Sequence, residues 1–229
     1  MNELIEGSGY RIAERYIPEK LVDAVSAKFN VLHPVRASSS QHKYAEREQI
    51  KELPDLAVWW SQMVMDWPEV IEIQSMVDEL VKPYLPNNYW YASDIVVIEG
   101  KSKWVNPHVD TPHRFKKYNF DKRLLGVQAI MSFFDLDKTN GATGLVPCSQ
   151  KQDYNINLCY QGFYNSFFNK NCVQHNLPKG SVLYYNCRVL HSSMPNNLDM
   201  PRQALLFNYL DNSIIDDIRS MDNIWISNQ

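Results

Sequence analysis

Two imidazoles and a carboxylate fall close together in Val105-Asn106-Pro107-His108-Val109-Asp110-Thr111-Pro112-His113-Arg114. Neutral imidazole and carboxylate are the donors that hold divalent first-row metals. In an extended segment alternate side chains share a face, so His108 and Asp110 point the same way. His113 is out of phase with His108, and Pro112 ends any strand before it, so His113 would have to enter from a loop. Two ligands make no metal site. The best third candidate is His191, in Tyr184-Tyr185-Asn186-Cys187-Arg188-Val189-Leu190-His191-Ser192-Ser193 at the end of an apolar run that reads as a strand. Two imidazoles and one carboxylate on one side of an ion form a facial triad. That arrangement suits Fe(II), because it leaves adjacent positions for a chelating co-substrate and dioxygen. Zinc accepts the same donors, so ligand type alone does not choose the metal.

A fourth residue adds to the pattern. Arg202 heads the apolar run Gln203-Ala204-Leu205-Leu206-Phe207-Asn208-Tyr209-Leu210. An arginine in such a strand needs a partner, since an unpaired buried guanidinium is costly. Its planar fork matches a carboxylate in bidentate fashion, as a dicarboxylate co-substrate would require. The alternative at this point is an edge-strand arginine in water or paired with Asp199.

The elements that must position these groups fall into two parts. The chain has 229 residues, 45% of them apolar, enough for one large mixed domain with a real core. Residues 1–88 read as mainly helical support. Pro18 sits where a helix can begin, and Leu21, Val22, Val25 and Phe29 follow at helical spacing. Pro54 and Pro68 each open a further helical pattern, the second with Val70, Ile73, Val77, Leu80 and Val81 on one face. From Tyr89 the period changes. YWYASDIVVIEG, LLGVQAIMSFFDL, GSVLYYNCRVLH and PRQALLFNYL are aliphatic and aromatic runs separated by turn chemistry at Asn140-Gly141, Lys179-Gly180 and Pro195-Asn196-Asn197. Their long connections suit two stacked antiparallel sheets better than a hairpin ladder. The expectation is a mixed α+β domain spanning 1–229, with a jelly-roll core over 89–211 and a tail over 212–229.

Composition excludes several partners. The net charge is −3 and the pI about 6.1, so nothing global draws the chain to nucleic acid or an anionic membrane. No apolar run approaches the ~20 residues of a membrane span. The N-terminal MNELIEGSGYRIAERYIPEK has early acids and no apolar stretch, which argues against a secretory leader. Cys148, Cys159, Cys172 and Cys187 form no CxxC, so reduced thiols in a cytoplasm are the simplest reading. Tyr91 and Trp104 are candidates to line a substrate pocket. Thr111, His113 and Arg114, with Lys116 and Lys117 beyond them, are placed to meet an anionic substrate group, a solvated basic loop being the alternative. The polar loop 33–48, with Arg36, Ser38, Ser39, Ser40 and His42, is a candidate lid.

The order HxD, then GATGLVPCSQK, then KGSVLYYNCRVLHSSMPNNLDMPRQALLFNYLD resembles the phytanoyl-CoA dioxygenase-like branch of the Fe(II)/2-oxoglutarate oxygenases over about residues 90–211. Lys179-Gly180, Tyr184-Tyr185, His191, Ser193, Pro195-Asn196 and Arg202 stand at matching places. Asn140-Gly141-Ala142 and Pro147-Cys148-Ser149 resemble a second family segment, with Cys148 replacing the usual Gly and Gln150 the usual His. The resemblance implies a double-stranded β-helix, or cupin-like, core. It implies iron held by His108, Asp110 and His191, and 2-oxoglutarate with its far carboxylate on Arg202 and Ser193 and with Gln128 beside it. It also implies dioxygen as oxidant, with succinate and CO2 released. Halogenating relatives lack the carboxylate; Asp110 is present here, so the implied outcome is hydroxylation of a C–H bond, most simply in a small molecule. Three alternatives stay open: a peptide side-chain hydroxylase, a metallo-cupin that does not use 2-oxoglutarate, and a non-catalytic sandwich. Oligomeric state is not legible.

Overall fold

The computed structural model describes residues 2–32, 57–61, 66–98, 100–102, 106–153 and 162–227. Trp104 and the candidate lid 33–48 lie outside the described residues. The elements are β1 (Tyr10–Ala13), α1 (Glu19–Leu32), β2 (Ala57–Ser61), α2 (Pro68–Val81), β3 (Asn88–Ile98), β4 (Gly126–Ser132), β5 (Gly144–Leu145), α3 (Asn165–Asn171), β6 (Val173–Gln174), β7 (Val182–Asn186), β8 (His191–Ser192), β9 (Arg202–Asp211) and α4 (Ile215–Ser227).

Strands order β1-β7-β4-β9-β3-β2 in a large sheet and β6-β5-β8 in a small one. Every pair is antiparallel. This is the expected mixed α+β jelly roll. The central strands are buried on both faces, and alternation assigns each residue a side. Val127, Ala129 and Met131 of β4 pack outward with Val182 and Tyr184 of β7 and Leu205, Phe207 and Tyr209 of β9. Gln128 and Ile130, the alternate residues of β4, face inward.

The helices cover the outer face. Val70, Ile73, Val77 and Val81 of α2 are fully buried, as are Val22 and Val25 of α1, and Phe29 is nearly so. All seven join the core cluster of the outer sheet face. Burying such side chains contributes roughly 1.5–3 kcal/mol each, so these helices hold the large sheet rigid. Pro68 occupies the first turn of α2, where its missing N–H costs nothing.

Three expectations need correction. The helical pattern after Pro54 is wrong: Ala57–Ser61 is a strand paired with β3 from Ala57↔Ile98 to Ser61↔Asp94. Its AVWWS sequence is β-branched and aromatic, and an open sheet edge outweighs the proline signal. Tyr10–Ala13 likewise joins the sheet edge beside β7. The run GSVLYYNCRVLH is not one strand. It leaves the large sheet at Asn186 and enters the small one at His191. The turn between them is closed by Val189 N donating to Asn186 O at 2.8 Å and by Arg188 N donating to Asn186 Oδ1 at 2.9 Å. Gly180, at φ +75°, makes the turn before β7; a Cβ there would meet Ile17 O at 2.4 Å.

Candidate metal centre

The backbones of His108 and His191 pair directly. His108 N donates to His191 O at 2.9 Å, and His191 N donates to His108 O at 3.0 Å. That pairing sets the two rings 4.4 Å apart. Asp110 N donates to Cys187 O at 2.8 Å, which keeps the segment extended. Val109 therefore points away, into a cluster with Val146, Phe168 and Leu190, while His108 and Asp110 turn into the space between the sheets. The ligand-capable atoms of His108, Asp110 and His191 lie within 4.8 Å of one another. His191 Nε2 is 3.2 Å from Asp110 Oδ2, and His108 Nε2 is 3.9 Å from Asp110 Oδ1.

Both rings are oriented by backbone carbonyls. Asn106 O lies 2.8 Å from His108 Nδ1, and Val189 O lies 3.0 Å from His191 Nδ1. A carbonyl only accepts, so each Nδ1 carries a proton, and each Nε2 is left facing Asp110 and the cavity, where a bound metal would take its lone pair. Metal-binding histidines are held in this way. Burial, reinforced by repulsion from His191, lowers His108 to a pKa of about 4, so its imidazole is neutral at physiological pH. Burial alone would depress His191 too, but the Asp110 carboxylate outweighs it and raises the group. Burial would raise Asp110; His191 first, then His108 and Arg114, hold it below its usual range.

The triad lines a cavity of about 70 Å³. Arg202, Ser193 and Thr143 line it as well, with Gln128 and Tyr185 beside the triad and Val96, Ile130 and Leu206 as apolar wall. Arg202 is 4% exposed, and its Nε and Nη1 are buried without a hydrogen-bond partner among the described residues. Asp199 is not its partner: that side chain is 90% exposed, with Lys101 Nζ 3.5 Å away. Burial lowers the guanidinium to a pKa of about 10, still charged at neutral pH. Asp110 Oδ2 is likewise buried without a hydrogen-bond partner. A buried cation and a buried carboxylate oxygen, both unsatisfied and facing one small cavity, are what a carboxylate co-substrate and a metal ion would complete. The donor set fits a divalent iron, and the free fork fits the far carboxylate of 2-oxoglutarate.

The other candidates are placed differently. Gln128 does line the cavity, its Oε1 accepting from the Tyr185 hydroxyl. Tyr91 packs on Tyr118, Leu125, Ile214 and Ile218 beside α4, away from the cavity. His113 is fully buried and binds the Tyr118 carbonyl at 3.0 Å through Nδ1, so it is core and does not line the pocket. Thr111 and Arg114 are half-buried but not among the lining residues; Arg114 stacks on Phe115, 5.0 Å from the ring centroid. Lys117 pairs with Asp217. Thr143 and Tyr185 also line the cavity, and residue type and spacing single out neither. Tyr185 carries a weak signal, since alternation in β7 puts it opposite Gln128; Thr143 carries none.

Arg188 shapes the centre from behind. Fully enclosed, it donates to Asn119 O, to Gln150 O at 2.9 Å, to Gln152 O at 2.7 Å and to Asp153 Oδ1 at 2.9 Å. It thus ties the loop after Asp110 and the turn at 148–152 to the segment that ends in His191. That turn keeps a left-handed residue, Cys148 at φ 64° and ψ 5°, where the resemblance has glycine. Gln150 fastens it to the N-terminal segment through Gly7 O at 3.0 Å.

The family model described as phytanoyl-CoA dioxygenase matches residues 5–204. Among solved structures, the non-heme alpha ketoglutarate dependent epimerase SnoN from nogalamycin biosynthesis is 16% identical, with a TM-score of 0.67 over 92% of this chain and 78% of that one. EvdO2 from Micromonospora carbonacea var. aurantiaca is 14% identical, with a TM-score of 0.71 over 92% and 89% of the two chains. EctD from S. alaskensis, solved with 2-oxoglutarate and 5-hydroxyectoine, is 14% identical, with a TM-score of 0.65 over 90% and 73%. No curated protein matches the chain.

Proposed function

The chain belongs to the phytanoyl-CoA dioxygenase family and is an Fe(II)- and 2-oxoglutarate-dependent enzyme, and from that premise we propose that it hydroxylates a C–H bond of a small molecule. The observation that carries this reading is one cavity lined by both an imidazole–carboxylate–imidazole set and a buried arginine whose Nε and Nη1 have no hydrogen-bond partner among the described residues. His108, Asp110 and His191 would hold the iron, and Arg202 with Ser193 the far carboxylate of 2-oxoglutarate. When bound, iron and 2-oxoglutarate supply the oxidising power, consuming dioxygen and releasing succinate and CO2.

The chain's own residues do the positioning. Asn106 O and Val189 O fix the two imidazoles with Nε2 toward the ion. Asp110 would add a negative charge that offsets the metal and would stand where chloride could otherwise bind, which would favour hydroxyl over halogen transfer. Arg202 and Ser193 would hold the far carboxylate of the co-substrate, and Val96, Ile130 and Leu206 supply the apolar wall that would limit water in the cavity. No side chain is required as a general base.

A small-molecule substrate is supported by the relatives named for such compounds, SnoN and EctD. Among the described residues no helix is long and apolar enough to cross a membrane. A cytoplasmic setting fits Cys148, Cys172 and Cys187, which are free thiols. A cupin working without 2-oxoglutarate would leave Arg202 unexplained. The test is anaerobic addition of Fe(II) and 2-oxoglutarate to the protein. A visible charge-transfer band should form, and a metabolite panel should contain a compound that stimulates succinate release and gains one oxygen atom. Absence of the band in the wild-type protein would sink the reading.

A further inference from the structure

Tyr185 lines the cavity, yet neither the metal ligands nor the carboxylate clamp accounts for it. It is fully buried and stands on β7 between Tyr10 of β1 and Gln128 of β4, so the sheet holds its backbone on both sides. Its ring lies 4.8 Å from the ring of His191. Its hydroxyl reaches two groups. One is Gln128 Oε1; the other is the Asp110 carboxylate. Burial first, and then the charge of Asp110, hold the phenol well above its ordinary pKa, so it stays a donor at neutral pH. One side chain thus touches two of the three candidate ligands and the glutamine that faces the same cavity.

A carboxylate has two oxygens, and a metal can take one or both. The facial triad needs Asp110 to bind through one, because a chelating co-substrate and dioxygen require the remaining positions to stay open. A second bound oxygen would close one of them. A hydrogen-bond donor fixed at that oxygen opposes this, since it engages the lone pair the metal would use, and bonds to an ionised acceptor are the strong ones. His191 Nε2, 3.2 Å from Asp110 Oδ2, is another group close to this carboxylate, but a metal would occupy that nitrogen. Tyr185 is then the neighbouring side chain left to donate. Its proton need not stay with Gln128, because an amide turned over offers Nε2 to the phenol oxygen. Asn208, which accepts from Gln128 Nε2 at 3.0 Å, is an amide too and can answer either atom.

We infer that Tyr185 is a positioning residue: its hydroxyl engages the oxygen of Asp110 that the metal does not take, holds that carboxylate to a single bond with the metal, and so keeps a position open for 2-oxoglutarate. This rests on the reading of Asp110 as a ligand and deepens the proposed function. Tyr185 acts through Asp110, with its ring backing His191.

The test is a pair of anaerobic calorimetric titrations, Fe(II) into the protein and then 2-oxoglutarate into the Fe(II)-loaded protein, with the visible charge-transfer band recorded in the second. No turnover enters either readout. Tyr185→Phe keeps the ring against His191 and removes the hydroxyl. Asp110 is then free to take a second metal position, so Fe(II) should bind as tightly as before or more tightly. In the same variant 2-oxoglutarate affinity should fall about ten-fold, and the band should weaken. A packing role would instead loosen His191 and lower Fe(II) affinity first. Tyr185→Met also lacks the hydroxyl and fills the space flexibly; it should give the same pattern, which covers the case that Tyr185→Phe folds poorly. A fall of less than about three-fold in 2-oxoglutarate affinity would overturn the inference, as would a loss of more than about three-fold in Fe(II) affinity. If the wild type itself bound no Fe(II), or formed no band with 2-oxoglutarate, the proposed function would fail first, and that result is distinct from either of these.

Discussion

Arg202→Met makes the co-substrate reading quantitative, because it should move two observables in opposite directions. The guanidinium is 4% exposed, with Nε and Nη1 unpartnered among the described residues. Burial lowers its pKa by roughly two to three units, from the ordinary guanidinium range to about 10. At neutral pH the group is charged both folded and unfolded, so the depression measures what burying the charge costs the folded state. At 1.36 kcal/mol per unit this is roughly 3 kcal/mol. Methionine fills similar space without a charge, so the metal-free variant should be the more stable protein, by about 1–3 kcal/mol after imperfect packing is allowed for. For a chain of this size that raises Tm by roughly 2–10 °C. Binding should respond the other way, since losing a desolvated charge pair costs about 2–5 kcal/mol, roughly 30- to several-thousand-fold in Kd. The assay is thermal unfolding of both proteins, metal-loaded and metal-free, across a 2-oxoglutarate series, with Kd taken from the ligand-dependent shift. The two proteins should exchange rank: Met variant higher without ligand, wild type higher with it. A Met variant that is less stable and binds 2-oxoglutarate normally would mean Arg202 is held by something else, and the co-substrate assignment would be wrong.

Other outcomes follow from the same geometry. His108→Ala and His191→Ala should each abolish Fe(II) binding by calorimetry, whereas His113→Asn should retain it, because His113 does not reach the cavity. His108 and His113 are both depressed to about 4 by burial, so between pH 6.5 and 4 the unfolded chain binds more protons at these positions. The contribution of these two groups should therefore be complete above pH 6.5 and fall by roughly 3 kcal/mol per histidine as pH drops to 4, opposed by the raised His191, whose contribution runs the other way; His113→Asn should flatten that slope in denaturant titrations, and an unchanged slope would show that His113 is not the source. Asp110→Ala should lose coupled hydroxylation, measured as hydroxylated product per succinate, and Asp110→Glu should recover little because its longer arm misplaces the oxygen. Cys148→Gly should raise stability by up to about 1 kcal/mol, because Cys148 sits at φ 64°; a loss of stability would mean its side-chain contacts outweigh the strain.

Much of the site was legible before the fold. A histidine and an aspartate two apart must share a face in any extended segment, and Val109 between them does turn into the opposite cluster. The arginine heading an apolar strand called for a partner, a co-substrate carboxylate or else water or Asp199, and the helical faces of α1 and α2 are buried at the spacing the sequence shows. These are local facts, set by backbone periodicity and by the cost of burying charge, and the sequence alone determines them.

What only the tertiary structure decided are the long-range choices. The backbone pairing that brings His108 to His191 depends on the crossing between sheets at residues 186–191, where one apolar run splits into two strands around the buried Arg188. His113 and Tyr91 carry the chemistry of a pocket but lie in core, because loop packing against Tyr118 and α4 outweighs residue type. Ala57–Ser61 became a strand because an edge of β3 was available to it. The Tyr185 hydroxyl meets Gln128 because β7 and β4 pair in register, and no spacing between residues 128 and 185 records that contact. Periodicity fixes which face a side chain takes, but the partner it meets there is chosen by contacts between distant segments.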